Sequence, residues 1–273
     1  MFELNKIYLG DAYELIKEIP DKSIDLIVTD PPYQFQSGGG GGAFGSKKRS
    51  YHSEYYSLSN KYEFKERYSS RLDKDKVKNR KEIAHLSTGF DYKILDEFVR
   101  VLKKMNIYIW CSKAQVRKLL DYFEDKGYAI DILTWHKDNP IPTANNSYLS
   151  DTEYCIFAKE TGAYLGGSYE TKRKFYVTHT NRQDKNNYHH PTIKPLNIIK
   201  NLIINSSKGG GIILDPFIGS GTTAVACKEL NRNFIGFEIN EEYFKIANDR
   251  LNGITQKEKK QGVKQLSLFD DKQ

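Results

Sequence analysis

Asp30-Pro31-Pro32-Tyr33 is the stretch whose residue types could hold a reacting group. Two prolines fix φ and remove two backbone donors, so the turn is stiff and presents carbonyl oxygens. A carboxylate beside free carbonyls suits an NH2 group, which needs two acceptors. Tyr33 offers a flat face on which a base can stack. An Asp-Pro turn that merely ends a strand is the plain alternative.

A second string reads Asp215-Pro216-Phe217-Ile218-Gly219-Ser220-Gly221-Thr222-Thr223. Two glycines one residue apart allow a tight turn and a close approach of backbone to ligand. Glu238 ends the next strand, where a carboxylate can accept hydrogen bonds from both ribose hydroxyls of a nucleoside cofactor. Gly219-x-Gly221-x-x-Ala224 also satisfies the dinucleotide pattern, so these residues leave S-adenosylmethionine and a nicotinamide dinucleotide both open. An ordinary βαβ turn with a solvent-facing Glu is the bland reading. The glycine run at 38–42 lacks the Gly-Lys-Ser/Thr ending of a phosphate loop.

The elements that must position these strings follow from periodicity. Strands are expected at 5–10, 24–29, 106–110, 130–135, 154–158, 209–214 and 234–238. Helices are expected at 11–19, 94–102, 115–124, 195–204, 222–230 and 241–251. Ile24 to Thr29 is almost continuously apolar, as in a strand buried on both faces of a parallel sheet. Strands alternating with helices predict an α/β fold with a doubly wound, mostly parallel sheet. Both strings then lie at carboxyl ends of strands, where open α/β sheets place ligands. One catalytic domain is expected over 1–253. Residues 34–89 form a Gly-rich, basic insertion, 160–189 a basic and aromatic segment, and 254–273 a tail.

A net charge of +7 and a pI near 9.0 suit a polyanionic partner such as nucleic acid, though a solvated surface would also carry them. Cys111, Cys155 and Cys227 are scattered without a CxxC pair, so neither a metal site nor a disulfide framework is expected, and a reducing cytoplasm fits. The amino terminus shows no signal-peptide pattern, and the longest apolar runs are strand-sized, so no membrane span is expected.

Taken together and in order, these strings resemble the amino-methylating DNA methyltransferases of the β class. In that circularly permuted arrangement the catalytic string precedes the cofactor glycines. Gly10-Asp11-Ala12 resembles the acidic segment beside the cofactor adenine, and Asp30 to Tyr33 the catalytic motif. Thr134-Trp135-His136-Lys137 and Thr152-Glu153-Tyr154 resemble two framework segments around the target-base pocket. His190-Pro191-Thr192-Ile193-Lys194-Pro195 resembles the segment before the helix over the cofactor's methionine end. The resemblance implies S-adenosylmethionine as cofactor, held by Asp11, Ala12, Lys194, Asp215, Phe217, Gly219, Ser220, Gly221, Thr222, Thr223, Glu238 and Ile239. It implies double-stranded DNA as substrate, a base turned out of the stack, and Asp30, Pro31, Pro32 and Tyr33 as the catalytic loop. An Asp leading the string favours adenine N6, and cytosine N4 is the alternative. A nicotinamide-dependent oxidoreductase would leave Asp30–Tyr33 unexplained. Methylation of RNA or of a protein amide is the more remote reading.

Lys172, Arg173, Lys174, Arg182 and Lys185, set among aromatics in 160–189, suit phosphate and base-edge contacts, supplemented by Lys47, Lys48 and Arg49 of the insertion. In the tail, Gln265, Leu266, Leu268 and Phe269 are similar to the peptide by which bacterial proteins dock on the replicative sliding clamp. A cognate restriction endonuclease and a homodimer are further partners that the class implies.

Overall fold

A computed structural model describes residues 2–33, 89–140, 148–181, 187–188 and 193–254. Its strands are β1 (Lys6–Leu9), β2 (Leu26–Thr29), β3 (Asn106–Cys111), β4 (Ala129–Lys137), β5 (Thr152–Lys159), β6 (Phe175–Thr178), β7 (Ile212–Asp215) and β8 (Asn233–Glu238). Its helices are α1 (Ala12–Leu15), α2 (Ile94–Val101), α3 (Lys113–Asp125), α4 (Leu196–Ser206), α5 (Thr222–Glu229) and α6 (Glu241–Leu251). The expected helix over 11–19 is a single α turn that tightens into a 3-10 turn at Ile16–Glu18.

The described strands form one sheet in the order β1-β8-β7-β2-β3-β5-β4-β6. Neighbours pair in parallel except at β5, which runs antiparallel to both β3 and β4. The fold is thus α/β with a mostly parallel, doubly wound sheet. Side chains of a strand alternate between faces, and β2 shows this directly. Ile27 joins the core under α1, α2 and α3, whereas Leu26 and Val28 join the one under α4, α5 and α6. All four β2 residues are buried, as a strand covered on both faces requires.

The segment read from sequence as purely basic and aromatic contributes an edge strand. β6 pairs with β4 from Thr134↔Phe175 to Lys137↔Thr178, and Trp135 Nε1 donates to Thr178 Oγ1 at 2.9 Å. Four residues of alternating exposure between turns give periodicity too little length to register.

Because β5 is reversed, its first residues reach the edge where the parallel strands end. Trp135 pairs with Glu153, and Cys111 with Tyr154. Asp30 follows β2 at the same edge, and Asp215 and Glu238 end β7 and β8. One side of the sheet therefore collects both motif strings.

Candidate active site

Asp30 stands where β2 gives way to the proline turn, its side chain a quarter exposed. Lys194 Nζ donates to Asp30 Oδ2 at 2.5 Å and to Tyr33 OH at 2.9 Å, and lies 3.1 Å from Glu153 Oε2. Tyr33 OH donates to the same Glu153 oxygen at 3.1 Å, and Lys137 Nζ holds Glu153 Oε1 at 2.6 Å. Two carboxylates and two ammonium groups thus alternate within contact distance. Lys194, 7% exposed, lies 5.0 Å from the Tyr33 ring centre and 5.3 Å from that of Trp110, a cation against two aromatic faces. The other oxygen of Asp30, Oδ1, is buried and has no partner among the described residues. An unpaired buried acceptor is costly, so this oxygen marks the place where a donor belongs.

The turn is pinned from α3. Ser112 and Gln115 form a capping box, the Ser112 N–H donating to Gln115 Oε1 at 3.0 Å. The same fully buried Gln115 turns its Nε2 to the Pro32 carbonyl at 3.2 Å. One side chain thereby starts a helix and fixes the catalytic turn.

Burial pushes the Asp30 carboxyl above the ordinary range, Lys194 opposes this and Glu153 adds to it. Burial would raise Glu153 as well, but Lys194 and Lys137 pull it down to about 2. Burial lowers the Lys194 ammonium, and Asp30 and Glu153 more than offset that, so it stays charged. Burial also pushes the Cys111 thiol up to about 12, which leaves no thiolate nucleophile beside Asp30.

The adjoining stretch of this edge is built around one continuous segment, Asp215 to Thr223. Asp215 accepts from Thr29 Oγ1 at 2.9 Å, Thr223 Oγ1 at 2.6 Å and the Phe217 N–H at 3.2 Å. Gly219 and Gly221 turn the chain at φ of 52° and 78°, values open to glycine at no steric cost. A Cβ on Gly221 would stand 3.1 Å from the Ala247 Cα of α6. Beneath the loop, buried Arg250 donates to Ser220 Oγ at 3.2 Å and Thr222 Oγ1 at 2.6 Å. Glu238 accepts from the Gly219 N–H at 2.9 Å and the Asn240 N–H at 2.8 Å, and each carboxylate oxygen keeps a second lone pair. Ile239 beside it is 68% exposed. Asp11 caps α1 through the Tyr13 N–H, and the Gly10 N–H reaches the Glu238 carbonyl at 2.9 Å, so both acids share one end. Phe217 lies edge-on to Tyr13, ring centres 6.2 Å apart, with Phe90 beyond.

These residues fit a nucleoside cofactor that carries positive charge. Asp11, Asp30 and Glu238 stand along the edge, while Lys194 is bound to Asp30 and Arg250 lies under the loop. A pyrophosphate would meet an acidic rim there, whereas a sulfonium and an α-ammonium would be drawn to it.

Of the residues expected to hold a cofactor, Asp11, Ala12, Asp215, Phe217, Gly219 to Thr223, Glu238 and Ile239 come together at this end. Lys194 instead places its ammonium on the catalytic turn. Lys172, Arg173 and Lys174 lead into β6. Arg173 pairs with Glu170 and Lys174 with Asp131, while Lys172 has no ion pair among the described residues. Arg182, Lys185, Lys47, Lys48, Arg49, His190 to Thr192, and Gln265, Leu266, Leu268 and Phe269 of the tail lie outside the described residues. Gln115 and Arg250 escaped the sequence reading. The Ser112-x-x-Gln115 spacing was a signal for the first, and no local pattern marks the second.

An acid-proline turn and a glycine turn on neighbouring strand ends of a permuted α/β sheet define an amino-methyltransferase site. A family model for N6/N4 methyltransferases, described as DNA methylase, matches residues 24–249, and the chain belongs to that family. It is similar to the type II methyltransferase M2.LlaDCHI of Lactococcus lactis subsp. cremoris, with 30% identity over 89% of this chain and 87% of that one. The type II methyltransferase M2.DpnII of Streptococcus pneumoniae is 29% identical over 92% and 91%. Among solved structures, an M1.HpyAVI–SAM complex covers 90% of this chain and 99% of its own at 25% identity, with a TM-score of 0.61. The PvuII DNA methyltransferase (cytosine-N4-specific) shares the fold, with a TM-score of 0.62 at 17% identity. The protein is a DNA methyltransferase enzyme. No helix among the described residues is long and apolar enough to cross a membrane.

Proposed function

We propose that this chain transfers a methyl group from S-adenosylmethionine to adenine N6 at a specific site in duplex DNA. The observation that carries the reading is the buried Oδ1 of Asp30, without a partner among the described residues, whose companion oxygen Lys194 already holds. When bound, S-adenosylmethionine would supply an electrophilic methyl on a sulfonium, whose methyl–sulfur bond breaks on transfer to leave a neutral thioether. Glu238 and Asp11 would hold the nucleoside end, with the 217–223 loop beside it. Asp30 Oδ1 and the Pro31 carbonyl accept the two amino hydrogens of a base turned out of the helix, while the Tyr33 ring stacks on it. Accepting both hydrogens would favour a pyramidal nitrogen with its lone pair free to attack. Most of the rate then comes from orientation, and Asp30 takes the proton that becomes acidic once nitrogen is methylated.

The choice of adenine over cytosine N4 rests on the Asp that leads the turn. Expression in a methylation-free host, followed by single-molecule sequencing of its DNA, should give N6-methyladenine at one recurring sequence. N4-methylcytosine would move the assignment to the other base. Unmodified DNA, with methylated RNA or protein instead, would overturn it.

DNA recognition is assigned to 160–189, supported by Lys172, Arg173 and Lys174, with the insertion as auxiliary. Docking on the sliding clamp through Gln265, Leu266, Leu268 and Phe269, pairing with a restriction endonuclease, homodimerisation and a cytoplasmic location belong to the same proposal on sequence grounds. Clamp pull-down by a Leu268→Ala/Phe269→Ala variant as strong as by the parent would remove the first of these.

A further inference from the structure

We infer that Glu153 and Lys194 are positioning residues for methyl transfer: with Lys137 they form an ion chain that occupies one oxygen of Asp30, leaves the other for the amino group, and holds Tyr33 by its hydroxyl. This rests on Asp30 being the amino-group acceptor proposed above.

Three observations carry it. The members come from separate elements: Lys137 from the end of β4, Glu153 from the reversed strand β5, and Lys194 from the segment before α4. Merely closing the fold does not call for charges here, since buried ion pairs give little net stability over apolar packing. Next, a single Glu153 oxygen meets both Lys194 and the Tyr33 hydroxyl, at 3.1 Å each, so one group sets the acid and the stacking ring together. Last, Lys194 donates to Asp30 Oδ2 while Oδ1 has no partner among the described residues, which divides the carboxylate into a held and an accepting oxygen.

The groups facing Asp30 are Lys194, Glu153, Tyr33 and Cys111, with Asp215 and the buried thiol of Cys155 beyond. The Cys111 thiol, pushed up by burial, and the Tyr33 phenol are neutral at working pH. Lys194 and Glu153 therefore dominate the field at Asp30, in opposite senses. Removing the cation must raise the acid's titration, and removing the second carboxylate must lower it. A chain that served only to join strands would lose stability when Lys194 or Glu153 is replaced, but would leave kcat of the folded variants unmoved.

The test uses full-length protein, with kcat, KM and Kd for S-adenosylmethionine measured across pH. In parallel, the Asp30 carboxyl is titrated by 13C NMR and assigned with Asp30→Asn. For Lys194→Met we expect kcat to fall about 10²-fold with cofactor Kd within about threefold. The acid limb and the Asp30 midpoint should both rise by about one pH unit or more. Glu153→Gln should move the midpoint down, and Lys194→Arg should return it towards the parent. A midpoint unmoved in both variants, or moved the same way, overturns the inference. So does a cofactor Kd that worsens in step with kcat, which would return Lys194 to the cofactor. If Lys194→Met fails to fold, Glu153→Gln and Lys194→Arg carry the titration by themselves. A parent that transfers no methyl, with the opposed NMR shifts intact, would count against the proposed function instead.

Discussion

The two ends of the edge that carries the motifs differ in how their parts are gathered. At the cofactor end, Asp215 through Thr223 is one continuous segment, fixed by backbone geometry and by hydrogen bonds both within it and to Thr29, Glu238 and Arg250. At the catalytic end, Asp30, Lys137, Glu153 and Lys194 are spread over more than 160 residues and meet as an ion cluster. The first arrangement suits a ligand bound the same way in every turnover. The second keeps charge and a partly open acceptor ready for a base that arrives and leaves. Substitutions at the cofactor end should therefore act on stability and affinity, and those at the catalytic end on rate.

The sharpest break of this comparison is Asp30→Ala. It should lower kcat by roughly 10²–10³ or more while leaving S-adenosylmethionine affinity nearly unchanged, as read by methyl incorporation and calorimetry. A large loss of affinity would join the two ends into one functional unit.

Gly221→Val reverses the pattern. Left-handed backbone costs a side chain about 1–2 kcal/mol, and pressing into Ala247 about 1–3 more. The melting temperature and cofactor affinity should both drop, and an unchanged melt would show that the loop yields freely.

Asp215 sharpens the comparison through pH. Burial raises its folded value from 3.8 to about 7. Between those values the folded protein binds the extra proton, so this group's contribution to stability falls as pH climbs from about 4 to about 7. Asp215→Asn should remove that part of the slope of melting temperature against pH. Identical slopes in the two proteins would mean that Asp215 is ionised throughout.

The smallest effect is expected at the DNA surface. Lys172→Ala should weaken binding a few-fold at low salt and reduce the slope of log K against log salt by about one. Lys174→Ala should change less, because Asp131 already neutralises that charge. Equal losses would show that the pair opens on DNA.

Much of this was legible beforehand because it is local. A buried strand ending in Asp30, a glycine turn and an acid closing the next strand are written contiguously, and steric rules act over a few residues. The short edge strand Phe175–Thr178 stayed hidden because four residues give no period, and pairing with β4 decides it. Lys194 was assigned to the cofactor by the string around it, yet its ammonium lies on Asp30. Gln115 went unread although its spacing from Ser112 is that of a capping box, and nothing local marks it as the donor to Pro32.

The sequence by itself determined the α/β class, the permuted order of the two motifs and the residues able to grip an amino group. Only the tertiary structure decided which charges surround Asp30. The reason is the single reversed strand. It carries Glu153 to the edge where β2 and β4 end, and no local pattern specifies which strands will become neighbours.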